Sequence, residues 1–167
     1  LRRRQRQMCI RDSLIVESGG NLTLINCTLY MNCTYDGEWQ IRVESGGMMN
    51  VLEGSVITAY NPRYEFLFYV YGRLIMRDSE LHECGYGYRP VYPGLWLETD
   101  EGVVIDNCTI SRNWPGIYCR SSSNITIVNC TISHNGGYGG VYCRGSSKIT
   151  ITNCTISHNG QIGVDCY

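Results

Sequence analysis

Three aromatic residues, Trp96, Tyr118 and Tyr142, stand at equivalent places in "GLWLE", "GIYCR" and "GVYCR", 22 and 24 residues apart. Aromatic faces in a row suit the apolar faces of sugar rings. They equally stabilise a β-surface by packing across strands, and both readings stand at this point. Two positions further on come Glu98, Arg120 and Arg144, with Glu17 and Glu44 in the same slot earlier in the chain. Stacked arginines suit an acidic polysaccharide, and clustered glutamates can hold calcium. Either set is also an ordinary solvated turn. More binding chemistry lies in "TAYNPRYEF" and "CGYGYRPVYPG", which gather Tyr60, Tyr64, Tyr86, Tyr88 and Tyr92 with Arg63 and Arg89. Loops on a rigid frame are where binding residues concentrate, although the same rings can pack down on the flank.

The elements that must position these residues are repeats. "GLWLETDEGVVIDNCTISRNWP" from Gly94, "GIYCRSSSNITIVNCTISHNGGYG" from Gly116 and "GVYCRGSSKITITNCTISHNGQI" from Gly140 align, and a further unit opens as "GVDCY" at Gly163. The first half carries the unit less regularly, in "LIVESGGNLTLINCTL", "IRVESGGMMNVLEGSV" and the degraded "FLFYVYGRLIMRDSEL". Within each unit the apolar period is 2: Ile125 and Ile127 alternate with Thr126, which predicts a short strand with one face buried. Thr, Ile and Val suit such a pleated, half-buried surface.

Each unit holds three such runs, with Ser/Gly-rich turns after the first and third. An Asn stands at a tight bend between the second and third, where positive φ is needed. Six positions separate the last inward residue of the first run from the first inward residue of the second: Val16 to Leu22, Val43 to Met49, Leu97 to Val103, Cys119 to Ile125, Cys143 to Ile149. The same spacing in the degraded unit pairs Phe68 with Leu74. The alternation sets Trp96, Tyr118 and Tyr142 outward as an exposed row, in line with Ile15, Arg42 and Asp165.

Stacking such units turns repeats into columns. Cys27, Cys108, Cys130 and Cys154 form one inward column, and Cys119, Cys143 and Cys166 a second. Three readings compete: small buried hydrophobes, disulfides between coils, and metal ligands. In-register Cβ atoms about 4.8 Å apart sit wider than the usual ~3.8 Å of a bridge, and zinc-type spacing is missing. Asn26, Asn107, Asn129 and Asn153 each open an Asn-Cys-Thr triplet at the bend and predict a ladder of stacked amides; Asn32, in a loop, is left open as a glycosylation acceptor. His134 and His158 repeat in "TISHNG", but Arg112 fills the slot one coil earlier, which argues against a transition-metal site.

The opening "RRQRQMCIRDS" differs in character. It has no apolar stretch to serve as a signal peptide. Arg3 to Asp12 match, residue for residue, the translation of a transposase-end adaptor used to prepare sequencing libraries. Residues 1–13 are therefore expected to be a disordered, non-native translation, and residues 14–167 the domain. The opening carries five Arg and one Asp, a charge of +4, so without it the net charge moves from −1 to −5, and nine of the ten Cys remain. No basic surface follows, which argues against nucleic acid, and no apolar run approaches the ~18 residues of a membrane span.

Three short strands per coil of 22 to 29 residues, closed by an Asn bend, predict an all-β, right-handed parallel β-helix of about six coils. The "x-I-x-x-N-[CN]-T-I-S-x-N" rhythm resembles the parallel β-helix repeat family, especially the region shared with NosD-type periplasmic proteins. That resemblance covers nearly all of residues 14–167. It implies an exported protein, extracellular, periplasmic or on the cell surface, whose first sheet and flanking loops line a carbohydrate groove. Pectin hydrolases of this kind use clustered Asp with Gly-His-Gly and Arg-Ile-Lys, and neither motif occurs here. Pectate lyases need acidic calcium ligands and a basic residue beyond them, whereas Lys148 is the sole Lys and falls in a turn.

The favoured expectation is a non-catalytic scaffold that binds a polysaccharide or other glycan, with no cofactor beyond calcium on the glutamates. The alternative is part of a polysaccharide lyase, hydrolase or epimerase whose catalytic coils lie elsewhere. Further coils are expected at both ends, and bare ends are expected to self-associate.

Overall fold

The computed structural model describes residues 6–87 and 94–167. The strands, numbered along the chain, assemble into three sheets, each parallel throughout and each taking one strand from successive coils. The first sheet contains β2 (Leu14–Val16), β5 (Gln40–Val43), β8 (Leu67–Val70) and β11 (Leu95–Leu97). It continues through β14 (Ile117–Arg120), β17 (Gly139–Arg144) and β20 (Ile162–Cys166). The second sheet runs β3 (Asn21–Ile25), β6 (Met48–Leu52), β9 (Arg73–Arg77), β12 (Val103–Asp106), β15 (Ile125–Val128) and β18 (Ile149–Thr152). The third begins with β1 (Arg6–Ile10), β4 (Cys27–Met31), β7 (Val56–Ala59) and β10 (Glu80–His82). It ends with β13 (Thr109–Ser111), β16 (Thr131–Ser133) and β19 (Thr155–Ser157).

The product is a parallel β-solenoid of about six turns, as the repeat predicts. Period-2 patterning puts alternate side chains into the lumen. Val103, Ile105, Ile110, Ile117, Ile125 and Ile127 are fully buried there. Equivalent residues lie directly over one another, so the core is a set of apolar columns. The bend before the third strand has the required backbone: φ is +47° at Asn26, +49° at Asp78, +52° at Asn107, +55° at Asn129 and +52° at Asn153.

Three expectations need correction. In the degraded coil Val70, not Phe68, is the last inward residue of its run, because Val70 pairs with both Val43 and Leu97 while Leu74 pairs with Met49 and Val103. The turn is two residues shorter than in the other coils. Gly72 permits it: a Cβ there would stand 2.2 Å from the Glu44 carbonyl oxygen.

The second correction concerns the opening segment. Arg6–Ile10 is not disordered but pairs residue by residue with Cys27–Met31. Its side chains are mostly exposed, so the pairing is carried by backbone N–H and C=O groups, which a free sheet edge offers to almost any sequence.

The third concerns the amides. Two of those at the bend bond to carboxylates, Asn107 Nδ2 donating to Asp78 Oδ1 at 2.6 Å and Asn129 Nδ2 to Asp106 Oδ1 at 3.2 Å. The stacked amides are instead Asn113, Asn135 and Asn159, after the third strand. Asn113 Nδ2 donates to Asn135 Oδ1 at 3.1 Å, and Asn135 Nδ2 to Asn159 Oδ1 at 3.0 Å. Each accepting oxygen also takes the backbone N–H one coil earlier.

Candidate functional site

The outward column of the first sheet reads Ile15, Arg42, Tyr69, Trp96, Tyr118, Tyr142 and Asp165 by strand register. Adjacent parallel strands set these side chains about 4.8 Å apart, close to the contact distance of stacked rings. Trp96 and Tyr118 stack with centroids 4.9 Å apart, and Tyr118 and Tyr142 at 5.2 Å, both pairs inclined by 24°. Tyr69 meets Trp96 edge-on at 6.0 Å, and Tyr138 tilts over Tyr142 at 4.8 Å. Sequence reasoning missed Tyr69, whose place depends on the shortened turn, and Tyr138, which reaches the strip from the "HNGGYGG" turn.

The strip is outward but not exposed. Trp96, Tyr118 and Tyr142 retain 8%, 2% and 9% of their accessible surface. Ring faces that stack on one another cannot also stack on a sugar, so the strip offers a ligand ring edges and hydroxyls in place of aromatic planes.

The charges around the strip sort into two kinds. Arg42 lies 5.2 Å from the Tyr71 ring centre, with its Nε 2.8 Å from Glu44 Oε1. Glu98 accepts the Trp96 indole N–H at 3.1 Å, and Arg120 lies over the Trp96 ring at 5.7 Å. Glu98 and Arg120, neighbours that could have paired, therefore both address Trp96. Arg120 and Arg144 are in register on β14 and β17, both exposed, and neither forms an ion pair among the described residues. Burial raises the Tyr118 phenol above its ordinary pKa, opposed by a hydrogen bond from Arg144.

The loop residues are not gathered onto this strip. Tyr60 is exposed and meets Tyr30 edge-on at 5.8 Å, beyond the third sheet. Tyr64 packs against the core, and Arg63 is exposed. Half-buried Tyr86 covers Gly37, where a Cβ would lie 2.4 Å from Tyr86 Cε1. Tyr88, Arg89 and Tyr92 lie outside the described residues.

At the corner after the third strand, carboxylates crowd. Glu65 accompanies Asp36, whose Oδ1 accepts the Glu65 backbone N–H at 2.9 Å. Burial first, and then the charges of Asp36 and Glu83, push the Glu65 carboxyl up to about 7. Glu83 is itself buried and held by Arg112 Nε at 2.6 Å and by the Thr58 hydroxyl.

The ten cysteines are all free thiols. In the bend column, Ser55 and Ser79 stand where other coils have Cys, and the two types do the same work. Ser79 Oγ donates to the Val51 and Arg77 carbonyls at 3.1 and 2.6 Å, and Cys130 Sγ to those of Ile105 and Val128 at 3.4 and 3.0 Å. The column of Cys119, Cys143 and Cys166 continues a line of Val16, Val43, Val70 and Leu97, a wall of small apolar side chains. Burial also pushes the Cys84 thiol well above its ordinary value, which marks it as packing and not as a nucleophile. His134 and His158 stack 5.1 Å apart on the surface. Among the described residues, no group of three or more His, Cys, Asp or Glu side chains is placed to hold a metal ion, and no helix is long and apolar enough to cross a membrane.

Comparison with known families matches residues 12–167 to the one described as the right handed beta helix region. Comparisons with curated proteins and with solved structures give no match.

Proposed function

This chain belongs to the right-handed β-helix region family, and from that premise we propose that it is an exported scaffold whose first sheet binds an acidic glycan without transforming it. One observation carries the reading: Arg120 and Arg144 stand in register at the lip of the aromatic strip, exposed and without a carboxylate partner among the described residues. Two guanidinium groups on neighbouring strands offer adjacent N–H forks, each of a kind that carboxylate and sulfate groups accept in bidentate fashion. Beneath them the stacked rings form a floor that does not rearrange, so little conformational entropy is lost when a chain settles on the strip. Tyr hydroxyls at the ring edges supply further polar contacts.

The binding chemistry then lies in ring edges and guanidinium groups and not in ring faces. The exported setting follows the family resemblance. Affinity electrophoresis tests the proposal: migration in gels containing alginate, a carboxylated polysaccharide, is compared with migration in gels containing neutral dextran. Retardation by alginate alone, lost on raising the salt, is the expected result. Equal migration in both gels removes the proposal.

A further inference from the structure

The outward face of the third sheet holds an arrangement that neither the repeat nor the aromatic strip requires. In "ELH", period-2 geometry turns Leu81 into the core and sets Glu80 and His82 outward. Strand register then places His82 directly beside Ser111 on the next coil. Ser111 Oγ lies 2.9 Å from His82 Nδ1, and His82 Nε2 lies 2.8 Å from Glu80 Oε2. His82 and Ser111 are each 7% exposed, whereas the Glu80 side chain is half open.

The hydrogen-bond roles follow from the chemistry. An ionised carboxylate only accepts, so Nε2 carries the imidazole proton and donates to Glu80. Nδ1 of the neutral ring is then the acceptor, and the Ser111 hydroxyl donates to it. A nucleophilic hydroxyl needs this sequence of contacts: a base within hydrogen-bond reach, and a third group that fixes the base's tautomer and orientation. Ser133 and Ser157 occupy the same column on later coils, and their partners across the strands are serines and not an imidazole. Arg112, next after Ser111, is already paired through Nε with the buried Glu83 at 2.6 Å, so its charge is committed to that carboxylate.

We propose that Ser111 is an acyl-accepting nucleophile, with His82 as its general base and Glu80 as the residue that positions the base. The substrates are small acyl esters, because a nearly covered hydroxyl admits an acetyl group more readily than a long chain. Ser111 Oγ adds to the ester carbonyl carbon while its proton passes to His82 Nδ1. Collapse of the tetrahedral adduct breaks the carbon–oxygen bond to the alcohol, which leaves with the proton from Nδ1. Water then repeats the sequence on the acyl-serine, returning the free hydroxyl and releasing the acid. The balance is ester plus water to acid plus alcohol, with no other reactant.

The test uses the whole chain and p-nitrophenyl acetate, with peptide mapping of the acetyl adduct after an acid quench. The expected result is a burst of p-nitrophenolate, acetyl on Ser111, and a loss of roughly a hundredfold in Ser111→Ala. Ser133→Ala keeps the wild-type rate. Glu80→Gln lowers the rate and shifts its pH profile, which a merely structural carboxylate does not do. Acetyl found only on cysteine, tyrosine or the chain terminus overturns the proposal, as does a Ser111→Ala rate equal to wild type. Should Ser111→Ala fail to fold, the adduct map on the unaltered chain still decides.

Discussion

The outward faces of the first and third sheets come from the same repeat and reach burial by opposite routes. On the first, Trp96, Tyr118 and Tyr142 cover one another ring on ring and leave only edges to solvent. On the third and its corner, His82, Glu83, Ser111, Asn113 and Asn135 are buried by hydrogen bonds and ion pairs. A solenoid gives every coil the same strand spacing, so the side chain at the slot decides what the flank becomes. Aromatic slots give a rigid, chemically quiet surface. Polar slots give a network in which each group depends on its partner and some hold their protons unusually.

Substitutions separate the two routes, and the largest effect belongs to the aromatic face. Tyr118→Ala removes a ring packed on both sides and should cost about 3 kcal/mol in urea unfolding. Tyr118→Phe should keep most of that, since the stacking survives. On the polar side, Asn135→Ala strands the buried Asn113 backbone N–H and leaves its side-chain amide only the Leu81 carbonyl, and should cost about 2 kcal/mol by the same measurement. If the two losses fall in the reverse order, the contrast between the faces is wrong.

Between pH 4 and 7 a pH dependence should come from the carboxylates of the polar corner. The Glu65 carboxyl is raised from about 4.5 to about 7 in the folded chain. Below the lower value both states are protonated and the group costs nothing. Between the two values the unfolded chain releases the proton and the folded chain keeps it, so stability falls as pH rises, and the loss is complete above the higher value. Urea melts from pH 4 to 8 should show this slope, flattened in Glu65→Gln and retained in Tyr118→Ala. The smallest effect is expected at Arg120→Gln, with stability within about 0.5 kcal/mol of wild type, because the side chain is exposed and its one contact is a 5.7 Å approach to the Trp96 ring.

The last three coils were legible because they nearly repeat one another. The six-residue spacing from Cys119 to Ile125 and from Cys143 to Ile149 places both strands, and the column of Trp96, Tyr118 and Tyr142 follows from it. Phe68 broke that spacing because the turn at Gly72 is short, and Tyr69 was lost with it. The alternation also says which side of a strand a ring points to, but not what its neighbours cover, so an outward row need not be an exposed one. Asn113, Asn135 and Asn159 were visible as the Asn of "TISRN" and "TISHN", yet the Asn-Cys-Thr triplets drew the ladder to the bend. Ser111 and His82 meet across unlike coils 29 residues apart, and no periodic pattern announces such a pair.

If the aromatic strip is a floor, the two arginines in register are the grip. Isothermal titration with an alginate oligosaccharide, on wild type and on the double variant Arg120→Gln, Arg144→Gln, tests it directly. The expected result is binding that weakens with salt and falls about tenfold in the double variant, a loss of ~1.4 kcal/mol. No binding by wild type, or equal binding by both chains, would contradict it.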